Sequence, residues 1–477
     1  MSAVDYTRVR IFKTKPIFKM PNKNGNVVFG ILIFLIFLTM LVFSLFVKTE
    51  FSLIPLLIPL IPIVFILAFI DTDNALIILI FSMLLSPELH LGGIYGRAIV
   101  LRLDDIFLLM VFFGWFAKMA VHKELGLLRK NPVNKFILIY ITLCVISSAV
   151  GILRGTTNLK HSFFYILKYI EYFLLFFMVS NNIKDKKQVR IFISFMLLTC
   201  LVVSVYALRV SFADGMRASA PFEGRSGEAN TLAGYLILMM GIVLGFLLYS
   251  RSIKLRILLG VFFMFLTLPF LFTLSRGGWL GFFAMYLTFI VLSKRHKVFL
   301  LLFLILILMF SSVIFPKAIQ GRFQATFAVG KTYVVLGRKI TLDESAQARI
   351  RSWEGSMKAW SEYPILGRGV PGGGSVSDVQ YTRVLREVGI LGFLAFMLII
   401  ITLMQLVWRV FSNPRLDDFG KSLSLGFLCA FVGLVVMGLS AEVFIILRIM
   451  EPFWFLAAIV TTLPEISTQQ LPEEASG

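Results

Sequence analysis

Arginines gather beside glycines at three places where long apolar runs end. Arg276 lies in Ser275-Arg-Gly-Gly278, a four-residue turn between two such runs; Arg217 lies in the stretch from Arg209 to Glu228; Arg322, Arg349, Arg351 and Arg383 lie between 317 and 387. A guanidinium presents a planar fork of N–H donors that meets two oxygens of one phosphate at once, which a lysine ammonium does not. Seven of the eleven cations in 317–387 are arginine, against six acids. The segment therefore reads as a site for a phosphate-bearing ligand, with solvated surface beside anionic lipid as the alternative. A cation in a turn as short as 275–278 must snorkel to headgroups or bind an anion, and Arg276 is the strongest single candidate.

Other residues could do chemistry nearby. Asp378, in Ser375-Val-Ser-Asp378, follows the turn Gly367-Arg-Gly-Val-Pro-Gly-Gly-Gly374 and precedes an apolar-periodic run, with Ser377 as N-cap. Free N–H groups at such a turn suit a phosphate; a flexible link with an acid at the helix dipole is the competing reading. Asp104 and Asp105 open another run, either capping its helix or forming an acid pair. Lys168 with Glu171, and Arg448 with Glu451, stand at i, i+3 inside apolar runs and read as intramembrane ion pairs. Cys144, Cys200 and Cys429 all sit in apolar runs, so neither disulfides nor a cysteine-based zinc site is expected.

The elements that position these residues must be membrane helices. Of the 477 residues 58% are apolar and 15% charged, with a mean hydropathy of +0.89, whereas a soluble domain carries about 25% charged residues. Fourteen runs match a hydrocarbon core about 30 Å thick. They lie at approximately 27–47, 51–70, 74–88, 104–121, 135–152, 162–180, 187–212, 229–250, 254–274, 277–293, 297–316, 388–410, 421–439 and 443–463. In a soluble chain the formal charge of +20 would point to nucleic acid; here it reports orientation, and no nucleic acid is expected. With the basic tail from Arg8 to Lys23 held in the cytoplasm, the inside segments carry 24 of the 46 cations and the short outside segments nine. Both termini are then cytoplasmic. The tail precedes a full-length apolar run without a small-residue cleavage site, so no cleavable signal peptide is expected.

Residues 1–316 thus read as eleven spans with a functional outer loop at 209–228, 317–387 as one long outer loop, 388–463 as three more spans, and 464–477 as a cytoplasmic tail. Inside the long loop, Ile350, Trp353, Met357 and Trp360 share one helix face and Pro364 ends the run. An amphipathic helix is expected, its stripe on the membrane domain or at the interface, with Arg349 and Arg351 on opposite sides of it.

The stretches Leu274-Ser-Arg-Gly-Gly-Trp-Leu-Gly281, Ala348-Arg-Ile-Arg-Ser-Trp353 with Pro364-Ile-Leu-Gly-Arg-Gly369, and Tyr381 to Glu387-Val-Gly-Ile-Leu-Gly392 resemble the O-antigen ligase and O-antigen polymerase superfamily. Arg217-Ala-Ser-Ala-Pro221, through Asn230 to Tyr235, is similar to that family's earlier outer loop. The resemblance covers about 210–400, and the first 200 residues match only in hydropathy. It implies an all-α polytopic glycosyltransferase of the C type in the bacterial inner membrane, acting on the periplasmic side. Its donor and acceptor would be undecaprenyl-diphosphate-linked glycans, its surroundings membrane lipids, and a chain-length regulator an optional partner. It implies no nucleotide sugar, no cofactor and no metal. Ligases typically carry a His-Asn pair nine residues before the position of Glu387, where this chain has Asp378 and Val379. No histidine falls in 317–387, so the resemblance favours a repeat-unit polymerase over a ligase that transfers glycan to lipid A-core.

The expected chemistry is attack by an acceptor hydroxyl on an anomeric carbon while a lipid diphosphate leaves. Arg276 and Arg349 would carry most of the charge stabilisation, Arg217, Arg322, Arg351 and Arg383 would hold the diphosphate, and Asp378 would be general base or would orient the acceptor. Two rivals are a lipid-linked oligosaccharide flippase using the buried ion pairs, and a transferase taking single sugars from polyprenyl phosphate with Asp104 or Asp105 as base. The first is disfavoured because no internal repeat relates the two halves.

Overall fold

Short polar side chains mark where many of the helices begin. Oxygens of Asp71, Asn131, Asp185 and Asp417 accept the N–H groups of Asp73, Val133, Gln188 and Gly420 at 2.8–3.1 Å, each filling a donor that a helix start leaves open. The computed structural model describes residues 23–46, 60–94, 97–122, 129–223, 227–293, 296–309, 320–322, 331–335, 338–342, 344–372 and 379–468. In chain order these form α1 (Lys23–Phe46), α2 (Leu60–Ile70), α3 (Thr72–Leu85), β1 (Glu88–Ile94), β2 (Arg97–Arg102), α4 (Leu103–Val121), α5 (Pro132–Leu153), α6 (Leu159–Asn182), α7 (Lys186–Ala213), α8 (Ala229–Tyr249), α9 (Ile253–Phe272), α10 (Arg276–Leu292) and α11 (Lys297–Met309). Then follow β3 (Lys331–Val335), β4 (Arg338–Leu342), α12 (Glu344–Glu362), α13 (Gln380–Phe411), α14 (Asp418–Met437) and α15 (Leu447–Thr468).

At 1.5 Å per residue a helix needs about 20 residues to cross a hydrocarbon core. Among the described residues eight helices are long and apolar enough, α5 to α9 and α13 to α15, and the chain is a multi-pass membrane protein. Each of the fourteen predicted runs carries a helix, but α3, α10 and α11, with 14, 17 and 13 residues, are apolar without reaching that length. Burial separates centre from rim. Of the most apolar stretch of α8, 89% is inside the protein, against 28% for α9. Leu258 and Val261 of α9 are more than 60% exposed, the outward aliphatic surface that a bilayer would cover. At the centre Trp454 of α15 stacks on Tyr172 and meets Phe173, Phe176 and Phe453 edge-on, which joins α6 to α15.

Two antiparallel hairpins depart from an all-α expectation. β1 pairs with β2 (Glu88 opposite Arg102, Ile94 opposite Arg97) with an irregularity between His90 and Gly93, and β3 pairs with β4 (Lys331 opposite Leu342). Strands of five to seven residues are too short for their alternation to stand out beside long apolar runs.

The segment 317–387 ends earlier than hydropathy predicts, because its last residues already belong to α13. That element is two helices joined at Gly389, whose φ of 69° and ψ of −166° break the helical path. A side chain there would be strained, and its Cβ would sit 2.3 Å from the Ile365 carbonyl oxygen. The break opens main-chain groups for the segment 364–369. The N–H groups of Ile390, Arg368 and Gly369 reach the carbonyls of Pro364, Arg386 and Glu387 at 2.8–2.9 Å. Ser147 of α5 donates to the Glu387 carbonyl at 2.7 Å, and Ser162 of α6 to that of Val370 at 2.6 Å. The amphipathic helix stands as α12 and stops before Pro364, yet its buried face is not the bulky stripe. Gln347, Ser356 and Ala359 are buried and Trp353 is 51% exposed, because small side chains let α12 lie close against α13.

Candidate functional site

Three connections bring the arginine-bearing segments to one end of the bundle. The loop after α7 is tied to the end of α9: Ala218 donates to the Phe272 carbonyl at 3.0 Å and Arg217 Nε to that of Thr273 at 2.8 Å. Ser275 caps α10 by accepting from Gly278 at 3.1 Å and donates to Asn230 Oδ1 in the first turn of α8 at 2.7 Å. Gly277 lies so near the turn after α14 that a Cβ would come 2.3 Å from Ser440 Oγ. Arg276 is thereby held beside both the loop of Arg217 and the turn that carries Glu442.

Between these segments and α12 is a cavity of about 340 Å³, lined by Arg217, Glu228, Asn230, Arg349, Ser440 and Glu442 among others. Arg276, Arg322 and Arg349 all act electrostatically on Arg217. Burial, and then the guanidiniums of Arg322, Arg349 and Arg276, hold Arg217 below the ordinary arginine range. Such a cluster of like charges is costly without a counter-anion, and its fixed donors suit a polyanion.

The other predicted residues fall elsewhere. Arg383 is 2% exposed and sits between two carboxylates, with Nε 2.7 Å from Glu387 Oε1, Nη1 2.7 Å from Glu442 Oε2 and the Tyr165 ring 5.5 Å away. It holds a wall of the cavity through Glu442 rather than lining it. Arg351, about half a helical turn from Arg349, is exposed on the far side of α12. Asp378 lies outside the described residues. The glycine-rich turn keeps its donors for the chain itself, since the N–H groups of Gly367, Arg368, Gly369 and Val370 go to Tyr363, Arg386, Glu387 and Ser148. That part of the turn is a structural lock, not a phosphate cradle. Of the two i, i+3 pairs, Lys168 lies over the Tyr165 ring at 5.9 Å and acts on Glu171 only at longer range. Arg448 spends one arm on the Pro221 carbonyl at 2.5 Å.

Glu442 and Glu228 are the cavity residues that sequence reading passes over. Glu442 is an acid in the three-residue turn 440–442 between two apolar runs, so the argument that singles out Arg276 applies to it equally.

Glu223, in the loop that carries Arg217, accepts from Ala220 at 3.1 Å and Glu228 at 2.9 Å. Burial, opposed chiefly by Arg448, pushes its carboxyl up to about 7 from an ordinary 4.5. A raised acid favours the folded loop while protonated, so that support is full below pH 4.5 and is lost as pH rises through about 7. Hydrogen exchange of 214–223 should therefore speed up between about pH 5 and 7 beyond its intrinsic pH dependence, with no further excess above that window, which 4.5 and about 7 set. Glu223→Gln keeps an accepting oxygen and should flatten that excess; an unchanged excess in the variant would assign it to another group.

Residues 261–397 match the family model described as O-antigen ligase. Among curated proteins none matches the chain. The matched region contains Arg276, Arg322, Arg349 and the Arg383–Glu387 pair, which is the greater part of the site just described. With eight helices among the described residues fit to span a bilayer, the chain is a multi-pass membrane protein that is similar, over 261–397, to the O-antigen ligase family.

Proposed function

We propose that this protein is a glycosyltransferase that joins lipid-diphosphate-linked oligosaccharide repeat units into a surface polysaccharide, on the outer side of the bacterial inner membrane. The observation that carries the reading is the cavity in which Arg217 and Arg349 face Glu228 and Glu442, with Arg276 and Arg322 near enough to act on Arg217. An acceptor sugar hydroxyl gives its proton to Glu442 while its oxygen bonds to the anomeric carbon. The bond from that carbon to the diphosphate breaks, and the electron pair leaves on the diphosphate. Arg276 and Arg349, with Arg217 and Arg322, receive the growing negative charge in fixed positions, so little reorganisation is needed as it develops. Arg383 Nη1, 2.7 Å from Glu442 Oε2, holds that side chain in place. Asp378 is kept as an acceptor-orienting residue, and Arg351 as a contact for the lipid headgroup or the glycan beyond the cavity.

The donor on this reading is an undecaprenyl diphosphate glycan, the acceptor a second one, and both termini are cytoplasmic. A second reading, transfer of the finished glycan to lipid A-core, is favoured by the description of the matching family model as a ligase. The two separate in one assay. Purified protein given lipid-linked repeat units alone yields a ladder of longer products if it polymerises, and a product only with lipid A-core if it ligates. A flippase yields neither. Glu442→Gln should lower ladder formation by about 10²–10⁴-fold, the usual contribution of a general base, and wild-type turnover in that variant would remove Glu442 from the chemistry.

A further inference from the structure

A second polar cluster is buried where α4, α6 and α15 meet, with the end of α3 beside it. Asp104, Asp105, Glu171 and Glu451 are each at most 3% exposed. Ser86 Oγ and Arg102 Nε donate to Asp104 Oδ1 at 2.7 and 3.0 Å, Arg102 N to Asp105 Oδ2 at 2.9 Å, and Arg102 Nη2 lies 3.4 Å from Glu451 Oε2. One carboxylate oxygen from each of Asp104, Asp105 and Glu451 lies within 4.8 Å of the other two. Asp105 Oδ1, Glu451 Oε1 and Glu171 Oε2 have no hydrogen-bond partner, and Glu171 acts electrostatically on both Asp105 and Glu451. Four carboxylates thus meet two guanidiniums, Arg102 and Arg448, with Lys168 at longer range over Tyr165. With Lys168 counted, one carboxylate more than the cations is left at a depth where an unpaired carboxylate costs several kcal/mol.

We propose that this cluster binds one hard divalent cation, Ca²⁺, as a structural ion. Oxygen ligands stand about 2.3–2.6 Å from Ca²⁺, so two that share it are at most about 5 Å apart, and the three carboxylate oxygens meet that limit. Its charge offsets the surplus, and Glu171 on α6 acts on the site electrostatically through Asp105 and Glu451. The ion joins α4 to α15. Through Arg448, which donates to the Pro221 carbonyl, it also steadies the loop that carries Arg217. The site does not depend on the transferase reading, because the ion takes no part in the reaction.

The test is calorimetric titration of the full chain in detergent, stripped with chelator, with CaCl₂, alongside thermal unfolding. One saturable site is expected, with the melting temperature rising as it fills. Binding should weaken at least tenfold in Glu451→Gln and in Asp105→Asn, each of which removes one ligand carboxylate. Glu465→Gln, on the surface, should bind as wild type. No saturable uptake up to about 10 mM, ten times the weakest dissociation constant usual for extracellular sites, would overturn the proposal. So would an equal rise in melting temperature in wild type and both ligand variants, since the ion would then be binding elsewhere.

Discussion

Arg276→Ala should cut the rate of glycan joining by about 10²–10³-fold, the loss typical of removing one fixed donor from a developing oxyanion, while substrate binding weakens far less. The reason is positional. Arg276 is the first residue of α10, and its place is set by neighbours that the substitution does not touch, namely the Ser275 cap, the Asn230 contact and the close seat of Gly277 on Ser440. The side chain can be removed without moving its base. Arg276→Lys should retain part of the rate, because an ammonium supplies charge but not the forked geometry. Adding Arg349→Ala should cost less than the two single losses multiplied, since both act on one leaving group. The measurement is single-turnover elongation of lipid-linked repeat units, following chain length against time. Elongation at the wild-type rate by Arg276→Ala would mean that the cluster does not hold the leaving group.

Arg383→Ala should be the most destabilising single change near the cavity, at about 3–5 kcal/mol, because it strands two charges at once. Glu387 is fully buried and Glu442 9% exposed, and both lean on the one guanidinium. The loss would appear as a lower unfolding temperature in detergent and a smaller yield of folded protein. Arg383→Met combined with Glu387→Gln should recover part of the stability, since Glu387 is then no longer a buried charge while Glu442 stays without its guanidinium. Activity should stay low in that double variant, because Glu442 would have lost its holder. Wild-type thermal stability in Arg383→Ala would show that water reaches the pair and that it does not prop up the cavity.

The arginine cluster was legible in sequence because a charge at the end of an apolar run needs a physical reason, and four such charges on one predicted side share one. The membrane class was legible for the same reason of cost. Arg383 was misplaced although its partner stood four residues on, because a tally of cations by segment ignores the helix face on which each one lies. The glycines of 367–372 were ambiguous because a turn that bares its N–H groups to a ligand and one that gives them to Arg386, Glu387 and Ser148 have the same composition. Glu442 was hidden between two spans in a turn too short to attract notice. Its role depends on a contact with Arg383 across 59 positions, which no local pattern encodes. The meeting of Asp105, Glu171 and Glu451 is of the same kind, since their helices lie far apart in sequence and converge only in the packed bundle.

That convergence has a consequence for biogenesis. A membrane chain is handed to the bilayer from its N-terminal side onward, so each buried charge must wait for its partner. Arg102 and Asp104, two positions apart, can neutralise one another as soon as α4 forms. Glu171 has no such neighbour within 4 Å among the described residues, and its surroundings are completed only when α15 arrives with Arg448 and Glu451. Glu442, in the turn just before α15, closes the cavity at the same stage. The last helix is therefore the keystone of both polar centres, and a nascent chain that lacked it would hold unpaired charges at membrane depth, a state that membrane quality control is suited to recognise.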